Sequence, residues 1–250
     1  MITDSFDITT ESVTSPEAFL GERGNEVDIC IVTFSRIISE EVLKRFQCVK
    51  MWEIPSCNGR VPVYYFIYNG RKIGFYLSHI GSACAANDII EVGWSSGATK
   101  FIAFGSAGSL DREATKGKYV IPTAAYRDEG MSYHYAPAAD YIDVKGAETV
   151  KGVFSELGLP YVLGRTWTTD AFYRETRKLV AQRREEGCLA VEMEIAGMQA
   201  VCDFHGYELY DFLMAGDVLD SDEYDAYGLH EANHKLANFD IALKIAEKIM

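Results

Sequence analysis

Three short apolar runs, separated by stretches of helical period, constrain the fold of this chain more than any other feature. They are Asp28-Ile29-Cys30-Ile31-Val32-Thr33-Phe34, Thr99 to Gly105 (TKFIAFG) and Asp211 to Ala215. Runs of this length suit buried strands. Between the first two, Ser39-Glu40-Glu41 opens a helix through Phe46 with Ser39 as N-cap, and Ala83 to Gly97 reads as another helix. Strands alternating with helices specify an α/β domain with a mixed sheet. Ligands in such folds gather where strands end, which singles out the loops after Phe104 and after Ala215.

The rest of the chain agrees with that class. Val61 to Tyr68 and Lys72 to Ser78 are β-branched and aromatic, with the hairpin signal Asn69-Gly70 between them. Tyr119 to Pro122 and Tyr161 to Thr166 read as further strands, and Phe172 to Glu186 and Glu192 to His205 as helices. Glu231 to Met250 closes the chain as one amphipathic helix, with Phe239, Leu243 and Ile249 turned to the core. Residues 1–27 show no period and read as an N-terminal arm, leaving 28–250 as a single domain without repeats or linkers.

Charge and composition narrow the function. A net charge of -13 argues against a nucleic-acid polymer as partner, because phosphate backbones need a basic footprint. A small anion held by a few local donors remains compatible. No apolar run reaches the ~18–20 residues of a membrane span. The start, MITDSFDITTESVTSPE, lacks the basic-then-apolar order of a secretion signal, so the expected location is cytoplasmic, with no membrane partner. Cys30, Cys48, Cys57, Cys84, Cys188 and Cys202 have no CxxC spacing and read as buried thiols. No metal site is expected. His230 and His234 lack the intervening Glu of a zincin helix and read as solvent-facing. The acidic run Asp217, Asp220, Asp222, Glu223, Asp225 lacks EF-hand spacing and reads as a solvated loop.

Four stretches can carry chemistry, and each also has an ordinary structural explanation. Gly105-Ser106-Ala107-Gly108-Ser109 follows a strand; its N–H groups can nest an anion, or it is a tight turn. In Ala190-Val191-Glu192-Met193-Glu194-Ile195, one carboxylate can grip a sugar diol, or both are acids at a helix start. Asp217, beyond Gly216, can be a general acid with a raised pKa, or a turn residue. Thr168-Thr169-Asp170-Ala171-Phe172-Tyr173 can stack and bond a base, or cap a helix with Phe172 in the core.

In this order the four stretches resemble the nucleoside phosphorylase family: purine nucleoside and uridine phosphorylases with their hydrolytic relatives. The resemblance runs from about Asp28 to the C-terminal helix. It implies a single α/β domain with a central mixed, partly barrel-like sheet flanked by helices, assembled as a homo-oligomer, dimer or hexamer. It implies a phosphate cradle at Gly105 and Ser106, helped by Arg60 from a neighbouring subunit. Met193 and Glu194, with Glu192 beside them, would hold ribose. Phe172, Ala107, Gly108 and Thr169 would surround the base, and Asp217 would protonate it as it leaves. The expected partners are a nucleoside and inorganic phosphate as co-substrate, with no other cofactor.

That resemblance favours phosphorolysis of a nucleoside, purine ahead of uridine, since Asp217 suits a purine nitrogen and Thr176 and Arg177 stand where the uracil-gripping Gln and Arg would be. Three departures touch this expectation. Ala103 stands where phosphorolytic members carry an arginine, Thr33-Phe34-Ser35-Arg36 replaces their Gly-Asp-Pro loop, and the arm has no histidine. Two alternatives follow. One is a hydrolytic nucleosidase, with Glu40 or Glu41 activating water. The other is a nucleoside-binding protein without catalysis.

Overall fold

The computed structural model describes residues 5–220 and 224–250. Its elements run α1 (Pro16–Leu20), β1 (Ile29–Thr33), α2 (Arg36–Arg45), β2 (Val49–Ser56), β3 (Gly59–Tyr68), β4 (Arg71–Leu77) and α3 (Ser82–Ser96). Next come β5 (Lys100–Ser109), α4 (Arg112–Thr115), β6 (Tyr119–Asp128), β7 (Tyr141–Asp143), α5 (Ala147–Glu156) and β8 (Tyr161–Thr169). The chain ends with α6 (Arg177–Glu185), β9 (Cys188–Glu192), α7 (Ile195–His205), β10 (Glu208–Val218), α8 (Leu229–His234) and α9 (Ala237–Ile249).

Strand β5 is the hub. Its first half lies parallel to β1 on one side and to β10 on the other, and its end, Gly108–Ser109, pairs antiparallel with β9. From β10 the sheet continues through β6, β8 and β9 back to β5, which closes a mixed barrel; β1, β4, β3 and β2 extend outward from it. This is the mixed, partly barrel-like α/β fold expected from the sequence. Both faces are covered, which explains why β1 reads as a continuous apolar run: all five of its residues are buried. One apolar cluster joins Val32, Ala103 and Leu213 of the sheet to Met198 of α7, and a second joins Ile31, Phe104 and Phe212 to Phe239 of α9.

Several boundaries differ from the sequence reading, each for a local reason. The helix expected over Glu192–His205 forms but starts only at Ile195, because Glu192 ends β9 in register with Thr168 of β8. Ser35, not Ser39, caps α2, its hydroxyl accepting from Ile38 N–H at 3.2 Å. The helix expected from Phe172 starts with a 3₁₀ turn at Phe172–Arg174 and becomes α-helical after Thr176. The C-terminal helix breaks after His234, where Lys235 is extended. Strand β2, unforeseen, completes a meander with β3 and β4, and Asn69 and Gly70 make the expected hairpin with positive φ of 48° and 77°.

The later part of the arm packs on α3: Gly24 N–H bonds Trp94 carbonyl at 2.9 Å, and Val27 is buried in the core. Cys57 and Cys84 are exposed, unlike the buried thiols expected. His234 does not face solvent freely, because its Nδ1 lies 2.7 Å from Ser35 Oγ. Asp222 and Glu223 of the acidic run lie outside the described residues. Among the described residues no group of side chains is arranged to hold a metal, and no helix is long and apolar enough to cross a membrane.

Candidate active site

The two loops singled out by the sequence meet. A cavity of about 170 Å³ opens where β5, β9 and β10 end, between Gly105–Gly108, Val191–Ile195 and Asp217. Three devices build it. Small residues at Gly105 to Gly108 let the backbone form the wall. At Gly108 an added Cβ would stand 2.5 Å from Leu219 Cδ1 and 2.9 Å from Val191 Cγ1, so a larger residue would have to displace both side chains. A β-bulge between Ala215 and Asp217 advances the register and re-aims the end of β10, setting Asp217 opposite Gly108.

The two carboxylates of VEME have different work. Glu192, 5 % exposed, accepts from Glu194 N–H and Ile195 N–H, both at 2.7 Å, from Thr166 Oγ1 at 3.2 Å and from Thr168 Oγ1. Its oxygens are saturated at the start of α7, where the helix dipole favours an anion. Burial raises its pKa, against these donors, which lower it. Glu194 accepts only backbone donors, Gly81 N–H at 2.7 Å and Met193 N–H at 3.3 Å. Burial, and then the nearby Glu192 charge, push its pKa up to about 8. It retains acceptor capacity for a bound diol, which Glu192 lacks. Glu194→Gln is therefore expected to lower kcat/KM about 10–100-fold, the worth of a charged hydrogen bond, while leaving the thermal midpoint unchanged or raised. A loss of folding with unchanged activity per folded molecule would contradict that division of labour.

At the far end of the cavity Asp217, 3 % exposed, accepts from Tyr224 OH at 2.9 Å. Burial raises its pKa, and the tyrosine bond opposes the shift. Phe172 lines the same end and is 41 % exposed, so it is not the core residue of an ordinary capped helix. Ala107, Gly108 and Met193 also line the cavity. Thr169 does not: its hydroxyl faces Asp128 Oδ2 at 3.4 Å and accepts from Ala171 N–H at 3.2 Å.

The region expected to cradle phosphate is occupied by the chain itself. Ser106 Oγ bonds Asn233 Oδ1 of α8, and Ser35 Oγ bonds His234 of the same helix. Arg36 is turned away and pairs with Glu40 at 2.8 Å, and Glu41 pairs with Lys44. Arg36, Glu40 and Glu41 do not line the cavity. Arg60, 70 % exposed on β3, stands 3.6 Å from Glu53 and lies outside this chain's cavity.

Two lining carboxyls went unnoticed in the sequence. Asp211, 2 % exposed, sits on β10 directly beside Ala103, and one of its oxygens has no hydrogen-bond partner among the described residues. Burial, with the Glu192 and Glu194 charges, raises its pKa well above the usual range. The signal was an acidic residue in an otherwise apolar strand. Glu175 lines the cavity, as Phe172 does.

Comparison with known proteins places this geometry in a family. A curated relative, the DeoD-type purine nucleoside phosphorylase of Bacillus cereus, is 24 % identical over 153 residues, 60 % of this chain and 65 % of that protein. The matched stretch thus spans less than two thirds of that relative. Among solved structures, the 5′-methylthioadenosine/S-adenosyl homocysteine nucleosidase of Helicobacter pylori superposes with a TM-score of 0.70 at 20 % identity, covering 90 % of this chain and 98 % of that one. The AMP nucleosidase of Bacteroides thetaiotaomicron VPI-5482 gives 0.68 at 18 % identity, over 88 % and 87 % of the two chains. A futalosine hydrolase mutant of Helicobacter pylori strain 26695 gives 0.69 at 20 % identity, over 87 % and 98 %. The model of the phosphorylase superfamily matches residues 29–249, and this chain belongs to that superfamily.

Proposed function

We propose that this protein cleaves the N-glycosidic bond of a purine nucleoside with water as the acceptor. The observation that carries the choice of water is the lack of a cation among the carboxyls of the cavity's described lining. Glu175, Glu192, Glu194, Asp211 and Asp217 line it, and among the described residues no lysine, arginine or histidine does. Each of these carboxyls that is ionised would repel phosphate at ~5 Å by roughly 3 kcal/mol at an effective dielectric near 20. One guanidinium bond to phosphate would return only about 1.5–3 kcal/mol, and no guanidinium stands in the described lining to make it. The hydroxyls of Ser35 and Ser106 are already bonded to α8. Phosphate as co-substrate, the expectation drawn from the family resemblance, thus loses its support.

The same carboxyls suit the reaction. Breaking a ribosyl bond passes through an oxocarbenium-like state, positive on the sugar and negative on the base. Glu194 holds the sugar hydroxyls, and Glu192, whose ionised form four donors favour, offsets the positive charge. Asp217 gives a proton to the departing base. The attacking water forms the new C1′–O bond as C1′–N breaks, and its proton passes to the Glu194–Asp211 cluster. Glu40 and Glu41, the bases considered from the sequence, do not reach the cavity.

The test is turnover of adenosine in ¹⁸O-water without phosphate. The expected products are free base and ribose labelled at C1, at a rate that millimolar phosphate does not raise. Turnover that requires phosphate and yields ribose 1-phosphate would restore the phosphorolytic reading. In that case the cation comes from a second copy, with Arg60 as its source, and Arg60→Ala would abolish the phosphate-dependent turnover. No turnover with nucleoside bound would leave the third reading, a binding protein.

A further inference from the structure

Nothing in the family resemblance assigns Glu175. It follows the 3₁₀ turn Phe172–Arg174, so the loop that brings Phe172 to the cavity brings this carboxyl with it. It is half-buried, and no hydrogen bond contributes to its state. Asp217 shares its end of the cavity, and Tyr224, bonded to Asp217, stands beside Glu175 in an adjoining hollow walled by Phe172, Tyr173, Arg177 and Leu219. Glu192, Glu194 and Asp211 line the remainder of the cavity. Two carboxyls therefore face the base end, one with a fixed donor and one with none.

We propose that Glu175 is a specificity-determining residue that, with Asp217, reads the C6–N7 edge of the base and selects 6-aminopurine over 6-oxopurine nucleosides. This rests on the nucleoside-cleavage reading. The argument is donor–acceptor matching. Burial, and then the Asp217 charge, push the Glu175 pKa up to about 7, so Glu175 changes from donor to acceptor through neutrality. Ionised, it offers the 6-substituent of the base only acceptors. A 6-aminopurine presents N7 as acceptor and its amino group as donor on that edge, whereas a 6-oxopurine presents two acceptors. The oxo base would set its O6 against a lone pair, and a site whose polar groups are left unpaired discriminates strongly. Below its titration Glu175 becomes a donor, which suits the oxo base. The preference therefore rises with pH.

The experiment compares kcat/KM for adenosine and inosine in the wild type, Glu175→Gln and Glu175→Leu, from about pH 5.5 to about pH 8.5, spanning the titration near 7. The wild type is expected to favour adenosine by about tenfold or more at the alkaline end, one good base-edge pairing, and by less at the acid end. In Glu175→Gln, whose amide does not titrate, the ratio is expected to lose its pH dependence. In Glu175→Leu it is expected to fall to about threefold or less while adenosine is still cleaved. A merely structural role would move both substrates together and leave the ratio alone. A wild-type ratio retained in Glu175→Leu, or a wild type that prefers inosine, would overturn the assignment. The same ratio is read without turnover from the Kd of free adenine against hypoxanthine. Failure of cleavage and failure of base selection are thus separate outcomes.

Discussion

Asp217→Asn is expected to lower turnover on adenosine by about 10²–10⁴-fold, the usual contribution of general-acid catalysis, with the fold preserved. The asparagine is nearly isosteric, and its amide oxygen can still accept from Tyr224 OH, now 2.9 Å from the carboxyl. It carries no transferable proton, so the base would have to leave as an anion inside a cavity of carboxyls. The loss should therefore depend on the leaving group. On a nitrophenyl riboside, whose phenolate leaves without protonation, the variant should retain most of the wild-type rate. An equal loss on both substrates would mean that Asp217 supports the site's shape and is not its acid. No loss on either would remove it from the mechanism.

Glu192→Gln is expected to cost about 2–4 kcal/mol of folding stability, a large share of the roughly 5–15 kcal/mol that holds a domain together. Four donors converge on this carboxylate, two of them the N–H groups that open α7. An amide keeps one acceptor oxygen and turns an NH₂ group toward the other donors, stranding them in the interior. Each buried donor so stranded costs about 1–3 kcal/mol. The urea midpoint should fall, with activity per folded molecule reduced less than by Glu194→Gln. A midpoint equal to that of the wild type would show that the four bonds are not made in solution. Greater damage to ribose recognition at Glu192 than at Glu194 would reverse their roles.

How much of this was readable in the sequence follows the range of the forces involved. The apolar runs at Ile29–Val32 and Phe101–Phe104, the turn at Asn69-Gly70 and the small residues at Gly105–Gly108 announce themselves locally, because burial, positive φ and close backbone approach each select residue types directly. The clustering of four stretches into one family pattern was enough to name the fold and to bring Asp217, Glu194 and Phe172 forward as candidates. Other features have no local signature. Glu192 and Glu194 are identical in type and two residues apart. Only the arrival of Thr166 and Thr168 from β8 and of Gly81 from the start of α3 separates the saturated carboxylate from the one with capacity left. Asp211 became a cavity residue because parallel pairing set it beside Ala103, and Asp217 faces Gly108 because a bulge at Gly216 changed the register. Ser35 and Ser106 meet His234 and Asn233 across more than a hundred residues of chain. Residue types and short-range periods determined the fold class and the inventory of the site. Which carboxyl is saturated by the fold and which keeps lone pairs for a ligand was decided by long-range pairing, because a side chain's free lone pairs depend on every donor the fold brings to it.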